Sequence, residues 1–214
     1  MTPDSVGAPV RPTASTHAQA LAEETVPPGI LRLFTAAADA FSQKGFHATT
    51  TRDIASRAGL SPAGVYVHFS SKEDLLYRLS REGHVVARDA LREAAAAASD
   101  PEDALRALVT SFAQWHAENY QLAHIVQYEF RHLSDEHRTE VLRLRKEIDS
   151  TFATVLRDGV EQGVFEVTDL RLTTLAITSM IVDVARWYHT GVSETPDHIA
   201  TTYADLALRL VSRG

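Results

Sequence analysis

The sequence predicts an all-α protein in which a small three-helix head precedes a larger helical body. Three observations carry this. Apolar residues recur at three- and four-residue steps from Pro27 nearly to the C-terminus. Helix-start signals recur along the same stretch, as boxes such as Thr50-Thr51-Arg52-Asp53 and pairs such as Ser61-Pro62 and Thr195-Pro196. No segment alternates long enough to form a convincing strand; Val164-Phe165-Glu166-Val167 is short and reads as a connection. At 214 residues and 44% hydrophobic, the chain can bury a core without disulfides.

Residues 1–26 place Pro3, Pro9 and Pro12 among Thr, Ser, Ala and acidic residues with no apolar period, the composition of an unpacked tail. The head is expected over residues 27–76. Its first helix carries Ile30, Leu33, Phe34, Ala37 and Phe41 and meets Gly45 as a stop signal. Thr50 and Asp53 cap a second helix with Ile54, Ala55 and Ala58 on its apolar face, and Gly59 can take the left-handed conformation that ends it. Ser61 caps and Pro62 opens a third helix running to Phe69, with Val65 and Phe69 turned to the core. Ser71-Lys72-Glu73-Asp74 then opens a long helix through Leu75, Leu76 and Leu79.

The body, residues 77–214, reads as helix after helix. Asp100-Pro101-Glu102-Asp103 caps one carrying Leu105, Leu108, Phe112 and Trp115; a second lies around Leu122–Leu133; a third covers roughly Asp135–Gln162 and ends before Gly163. Leu170–His189 is the most apolar segment, and a last helix bears Ile199, Tyr203, Leu206 and Leu210.

Composition excludes several classes of function. With no cysteine, thiolate catalysis and Cys-rich zinc sites are ruled out. A net charge of -7 argues against nonspecific coating of nucleic acid and against a basic membrane-surface binder. The longest run free of Asp, Glu, Lys, Arg and His, Leu172–Val182, carries four Thr/Ser and falls well short of the ~20 apolar residues a bilayer span needs. The first ten residues lack the basic-then-apolar order of a secretory signal, so a cytoplasmic protein is expected. His116, His124 and His132 recur every eight residues, which separates successive rings by ~12 Å along a helix, too far for one metal ion. Solvated surface histidine is the expectation, with His132, His137 and Glu129 as the alternative metal set, and no metal is assigned. Nucleophile elbows, HExxH, phosphate loops and the two spaced Glu-x-x-His motifs of a di-iron bundle are missing, which leaves an all-helical enzyme as the weakest competing class.

Two short helices at a tight glycine turn, braced by a preceding helix, make a helix-turn-helix unit whose second helix enters the DNA major groove. Here that helix opens with Ser61, Pro62, Ala63 and Gly64, small residues that let the backbone approach base edges. Tyr66 and His68 can donate to phosphate oxygens, and Lys72 adds a cation at the next helix start. Between Pro27 and Leu76 five Lys/Arg face four Asp/Glu, a net of +1, so the remainder carries -8. This is the least acidic part of the chain, though no basic patch.

The run from Ile30 to Ala37, Phe41, then Gly45-Phe46-His47-Ala48-Thr49-Thr50-Thr51-Arg52-Asp53-Ile54-Ala55-Ser56-Arg57-Ala58-Gly59-Leu60-Ser61-Pro62-Ala63-Gly64-Val65-Tyr66-Val67-His68-Phe69 and Ser71-Lys72-Glu73-Asp74-Leu75-Leu76, resembles the amino-terminal domain of the TetR family of bacterial transcriptional regulators. The resemblance implies a three-helix DNA-binding head and a helical body that binds a small molecule and forms a homodimer. It also implies repression of a promoter, through a double-stranded operator, until ligand binds. It marks Thr50, Arg52, Ser61, Pro62, Ala63, Tyr66, His68 and Lys72 as DNA contacts, with Arg52 alternatively pairing to a nearby carboxylate.

Two heads must then sit roughly 34 to 36 Å apart, one helical turn of DNA. The last two helices resemble the family's dimerising pair, through Leu175, Ile177, Ile181 and Val184 with Tyr203, Leu206 and Leu210; about half of these are expected in the subunit's own core. A ligand cavity is expected among Trp115, His116, His124, Gln127, Tyr128 and Arg131 on two successive helices and Asp183, Arg186, Trp187 and Tyr188 on a third, which mix aromatic surface with a few polar groups. The segments Tyr128–Ser134, Gly159–Phe165 and Arg186-Trp187-Tyr188 resemble the branch of the family that senses acyl-coenzyme A thioesters and controls fatty-acid or sterol catabolism. No cofactor is expected beyond such an effector, which would place its phosphates on cations at the cavity mouth; a multidrug or other hydrophobic ligand is the alternative.

Overall fold

The computed structural model describes residues 27–189 and 191–212; the expected tail over residues 1–26 lies outside them. Among the described residues ten α-helices follow one another: α1 (Pro28–Ala48), α2 (Thr51–Ala58), α3 (Pro62–Tyr66), α4 (Lys72–Ala97), α5 (Pro101–Glu118), α6 (Tyr120–Tyr128), α7 (Asp135–Glu161), α8 (Leu170–Val182), α9 (Val184–Trp187) and α10 (Pro196–Val211), with one 3-10 turn at Glu129–His132. No strand occurs among the described residues.

Local chemistry sets the boundaries in the head. Thr50 Oγ1 accepts from the Asp53 amide while the Asp53 carboxylate accepts from the Thr50 amide, a reciprocal cap for α2. Gly59, at φ 68° and ψ 30°, closes α2 in the left-handed region. The Ser61 hydroxyl accepts from the Gly64 amide, and Pro62 supplies the fixed φ of the first turn of α3. That helix ends at Tyr66, followed by turn residues, rather than running as helix to Phe69.

Gly45 acts differently from the expected stop. It kinks α1 at φ 73° and ψ 166°, and one further turn continues to Ala48. A non-glycine residue would be strained there. The kink turns Phe46 and His47 toward the body, where Phe46 stacks on the His132 ring at 4.9 Å and His47 meets it edge-on at 4.2 Å.

Helix α4 runs unbroken from head into body, so the expected division at residues 76 and 77 falls inside a helix. The head core, Leu33, Phe34, Phe41, Ile54, Val65, Phe69, Leu75 and Leu76 among others, is continuous with Ile125 of α6, Leu133, and Val141 of α7. The body core lies between α4, α5, α7, α8 and α10, with Leu105, Leu108, Phe152 and Ile177 at its centre. Two further sequence expectations change. The apolar segment from Leu170 breaks at Asp183 into α8 and the short α9, and the helix expected through Leu133 ends at Tyr128 in a 3-10 turn.

Candidate DNA-facing surface and effector cavity

The structure brings Arg52, Ser61, Pro62, Ala63, Tyr66 and His68 to the exposed surface of the helix pair. Tyr66 is 54% exposed, and its hydroxyl lies 3.1 Å from Thr51 Oγ1, which fixes the ring between α2 and α3. Arg52 makes no ion pair among the described residues: the adjacent carboxylate, Asp53, is held instead by Lys44 at 2.9 Å. Thr50 is exposed as well, and its hydroxyl accepts from the Asp53 amide and donates to its carboxylate, which caps α2. Those bonds and Lys44 hold the Asp53 carboxyl far below the usual carboxylate range. Val67, 78% exposed beside Tyr66, was missed by sequence reading, because its neighbour Val65 turned inward matched the helical period and Val67 did not.

Lys72 turns inward. Its Nζ donates to the carbonyl oxygens of Phe46 at 2.6 Å and Thr49 at 2.7 Å and sits 4.3 Å from the centroid of the Phe46 ring. The ammonium thereby satisfies carbonyls left open at the end of α1, where a cation is also favoured by the helix dipole. Desolvation lowers its pKa, against the pull of Glu129.

In the body a cavity of about 400 Å³ opens between α4, α5, α6, α7 and α8. Of the residues expected to face ligand, it is lined by Trp115, His116, Gln127, Tyr128 and Asp183. Five others lie off it. His124 tilts against the Tyr128 ring at 4.4 Å and its Nδ1 lies 3.4 Å from the Ala185 carbonyl. Arg131 is exposed next to the His132 ring, with Nε 3.3 Å from Nε2. Arg186 forks onto Asp183 through two 2.7 Å bonds, and Trp187 packs on the small cluster of Ala117, Val184 and Ile199. Tyr188 joins that cluster and meets the Tyr120 ring edge-on.

Sequence reading missed the polar end of the cavity: His84 on α4 and Arg145 and Asp149 on α7. Both helices read as plain packing elements. The overlooked signal was period, since His84 shares the face of Ser80, Ala87 and Leu91, and Arg145 and Asp149 continue the face of Val141. Arg145 ties three elements together: Nε donates to His84 Nε2 at 3.2 Å, Nη2 donates to the Val126 carbonyl at 3.0 Å, and the guanidinium lies 4.5 Å from the Phe130 ring centroid. His84 therefore carries its proton on Nδ1, which donates to the Ser80 carbonyl at 2.7 Å. Burial first, then the Arg145 charge, pushes the His84 pKa down to about 4, and burial alone does the same to His116. Asp149 moves up because desolvation outweighs the Thr178 hydrogen bond and Arg145.

The expectation of solvated surface histidine fails for His116, which is buried and edge-on to Phe112 at 4.4 Å, because its face of α5 is the cavity wall. His132 and His137 do not share a ligand: the first pairs with Glu129 at 3.1 Å, and the second stacks on Tyr77 at 3.7 Å and bonds Glu73. No group of metal-ligating side chains occurs among the described residues.

On the remaining face, Ile177, Ile181 and Val184 are fully buried within the one subunit and so leave the expected dimer seam. What stays exposed is Leu172 and Leu175 on α8 with Leu206 and Leu210 on α10, between 39% and 57%.

Comparison with known proteins gives family matches and similar proteins. Residues 33–79 match the family described as Bacterial regulatory proteins, tetR family, and residues 98–211 match the Tetracyclin repressor-like, C-terminal domain. The HTH-type transcriptional repressor KstR2 of Rhodococcus jostii is 32% identical over 174 residues, covering 80% of this chain and 85% of that one. A bacterial regulatory protein in the tetR family from Rhodococcus RHA1 superposes with a TM-score of 0.82 at 37% identity, over 88% of this chain and all of the other. The regulator FadR of Bacillus subtilis, solved in complex with stearoyl-CoA, shares the fold with a TM-score of 0.71 at 21% identity, over 84% of this chain and 98% of that one.

Proposed function

Because this chain belongs to the TetR family of bacterial transcriptional regulators, we propose that it is a dimeric repressor released from its operator by an acyl-coenzyme A thioester. The single observation that carries the effector half is the cavity. It is large enough for an acyl group, walled by Phe112, Trp115, Ile148, Leu175 and Val182, and bordered by the exposed Tyr128 and by Asp183. FadR binds stearoyl-CoA on the same fold. In this reading the acyl chain enters the cavity, and Arg186, fixed on the rim residue Asp183, meets the coenzyme phosphates. No catalytic role is proposed, and the protein is assigned to the cytoplasm. Among the described residues no helix is long and apolar enough to cross a membrane.

The DNA-facing assignment is Arg52, Ser61, Pro62, Ala63, Tyr66 and His68, with Val67 added for apolar contact. Thr50 shapes the start of α2, and Lys72 acts by fastening the end of α1. Dimerisation through Leu172, Leu175, Leu206 and Leu210 would cover the exposed apolar stripe and hold two heads at one turn of DNA.

The link between the two halves is α6. Ala123, Val126 and Gln127 line the cavity, while Ile125, between them in sequence, belongs to the head core. The 3-10 turn that follows α6 extends the link, since the Phe46 amide donates to Glu129 Oε1 at 3.3 Å. A ligand that fits the cavity better with α6 displaced shifts the head, and only such differential affinity can release DNA. The test is footprinting on the DNA upstream of the protein's own gene, with and without a panel of acyl thioesters. A palindromic footprint erased by a thioester is the expected result. Indifference to every thioester, with release by an unrelated amphipathic drug, would overturn the effector assignment.

A further inference from the structure

The polar end of the cavity is more specific than an acyl chain needs. His116 is buried, its Nδ1 donates to the Phe112 carbonyl at 2.8 Å, and its ring lines the cavity. The neutral ring then presents Nε2 as a bare acceptor with no partner among the described residues. Arg145 also lines the cavity, and with Nε on His84 and Nη2 on Val126 its Nη1 hydrogens have no partner among the described residues. The carboxylate of Asp149 is a second acceptor on the same wall. A cavity-facing acceptor and donor left open by the protein disfavour a bare methyl terminus, since each would lose its water and gain nothing.

Charge decides which polar group fits. Arg145 and Asp149 both line this wall, so a carboxylate brought by the ligand would meet the like charge of Asp149 beside the cation. A ketone can accept from Arg145 but leaves His116 unanswered. A hydroxyl can do both, accepting and donating. The geometry points to an effector whose buried end carries a hydroxyl group. This rests on reading the cavity as the effector site, but not on the thioester.

The test measures binding to the full chain, by quenching of the fluorescence of Trp115 on the cavity wall, for two series of six-, eight- and ten-carbon ligands. One series is plain, ω-hydroxy and ω-carboxy acyl-coenzyme A; the other is the matching methyl esters. At one chain length or more the ω-hydroxy member binds about tenfold or more tighter than the plain and ω-carboxy members. His116→Leu abolishes that preference, and His116→Gln, which keeps an acceptor, retains it. Should the leucine variant not fold, the wild-type series decides alone. If the methyl esters keep the hydroxyl preference but no thioester binds, the thioester reading fails and the hydroxyl assignment stands. If plain chains bind as tightly as hydroxylated ones at every length in both series, or no hydroxylated member binds at all, the hydroxyl assignment is overturned.

Discussion

Replacing Lys72 by methionine separates two roles that a cation at this position could play. In the structure the ammonium holds the Phe46 and Thr49 carbonyls at 2.6 and 2.7 Å. Hydrogen bonds from a charged donor contribute about 1.5 to 3 kcal/mol each, and the partial exposure of Lys72 places the pair nearer the lower end, at roughly 3 kcal/mol in total. For a chain of this size each kcal/mol moves the melting temperature by roughly 2 to 4 °C, so Lys72→Met should melt about 6 to 12 °C lower. Operator affinity, measured by fluorescence anisotropy across a series of KCl concentrations below that melting point, should fall with its salt slope unchanged. Had Lys72 instead held a phosphate, each dimer would lose two such contacts and the slope would flatten by about 1.8. A flattened slope with an unshifted melting curve would refute the fastening role and restore a direct contact.

Other outcomes follow from the same coordinates. The depressed His116 pKa, about 4 against an ordinary 6.5, means the unfolded chain binds a proton that the folded one refuses. Stability is therefore fully present above pH 6.5 and lost as pH falls toward 4. From pH 7 to 5 this amounts to about 2 kcal/mol, which His116→Gln should remove from the pH dependence of urea unfolding; an unchanged dependence counts against it. Leu206→Glu with Leu210→Glu should convert a dimer to folded monomers by light scattering, and a persistent dimer would move the interface elsewhere. A Cβ on Gly159 would lie 2.0 Å from Phe165 Cδ2, so Gly159→Ala should cost about 1 to 3 kcal/mol in denaturant unfolding despite alanine's better helix propensity. Phe165→Leu should recover part of that loss, and additivity of the two changes would argue against the clash.

Much of the head was legible in the sequence because its determinants are local. A Thr50–Asp53 box, a left-handed Gly59 and a Ser61-Pro62 pair each act within four residues. The cavity was half legible. Trp115, Gln127 and Tyr128 come from consecutive helices and mix ring with amide, which sequence can suggest. His84, Arg145 and Asp149 converge only when α4 packs on α7, an event that no window along the chain contains. The inward turn of Lys72 was hidden for the same reason: its partners lie 23 and 26 residues away, just past the kink at Gly45. Boundaries set by tertiary packing, such as the break at Asp183, were equally invisible, since the apolar run continues through it.

The sharing of Ile125, Leu133 and Val141 with the head has a consequence for how such a protein can change. The front of the molecule is sealed by residues that arrive from the rear, so grafting it onto another sensor would strip away part of its own seal. New chemical tastes can be acquired by exchanging the lining side chains of the chamber, but the head-facing row of the connecting rod must stay as it is, or recognition of the promoter goes with it.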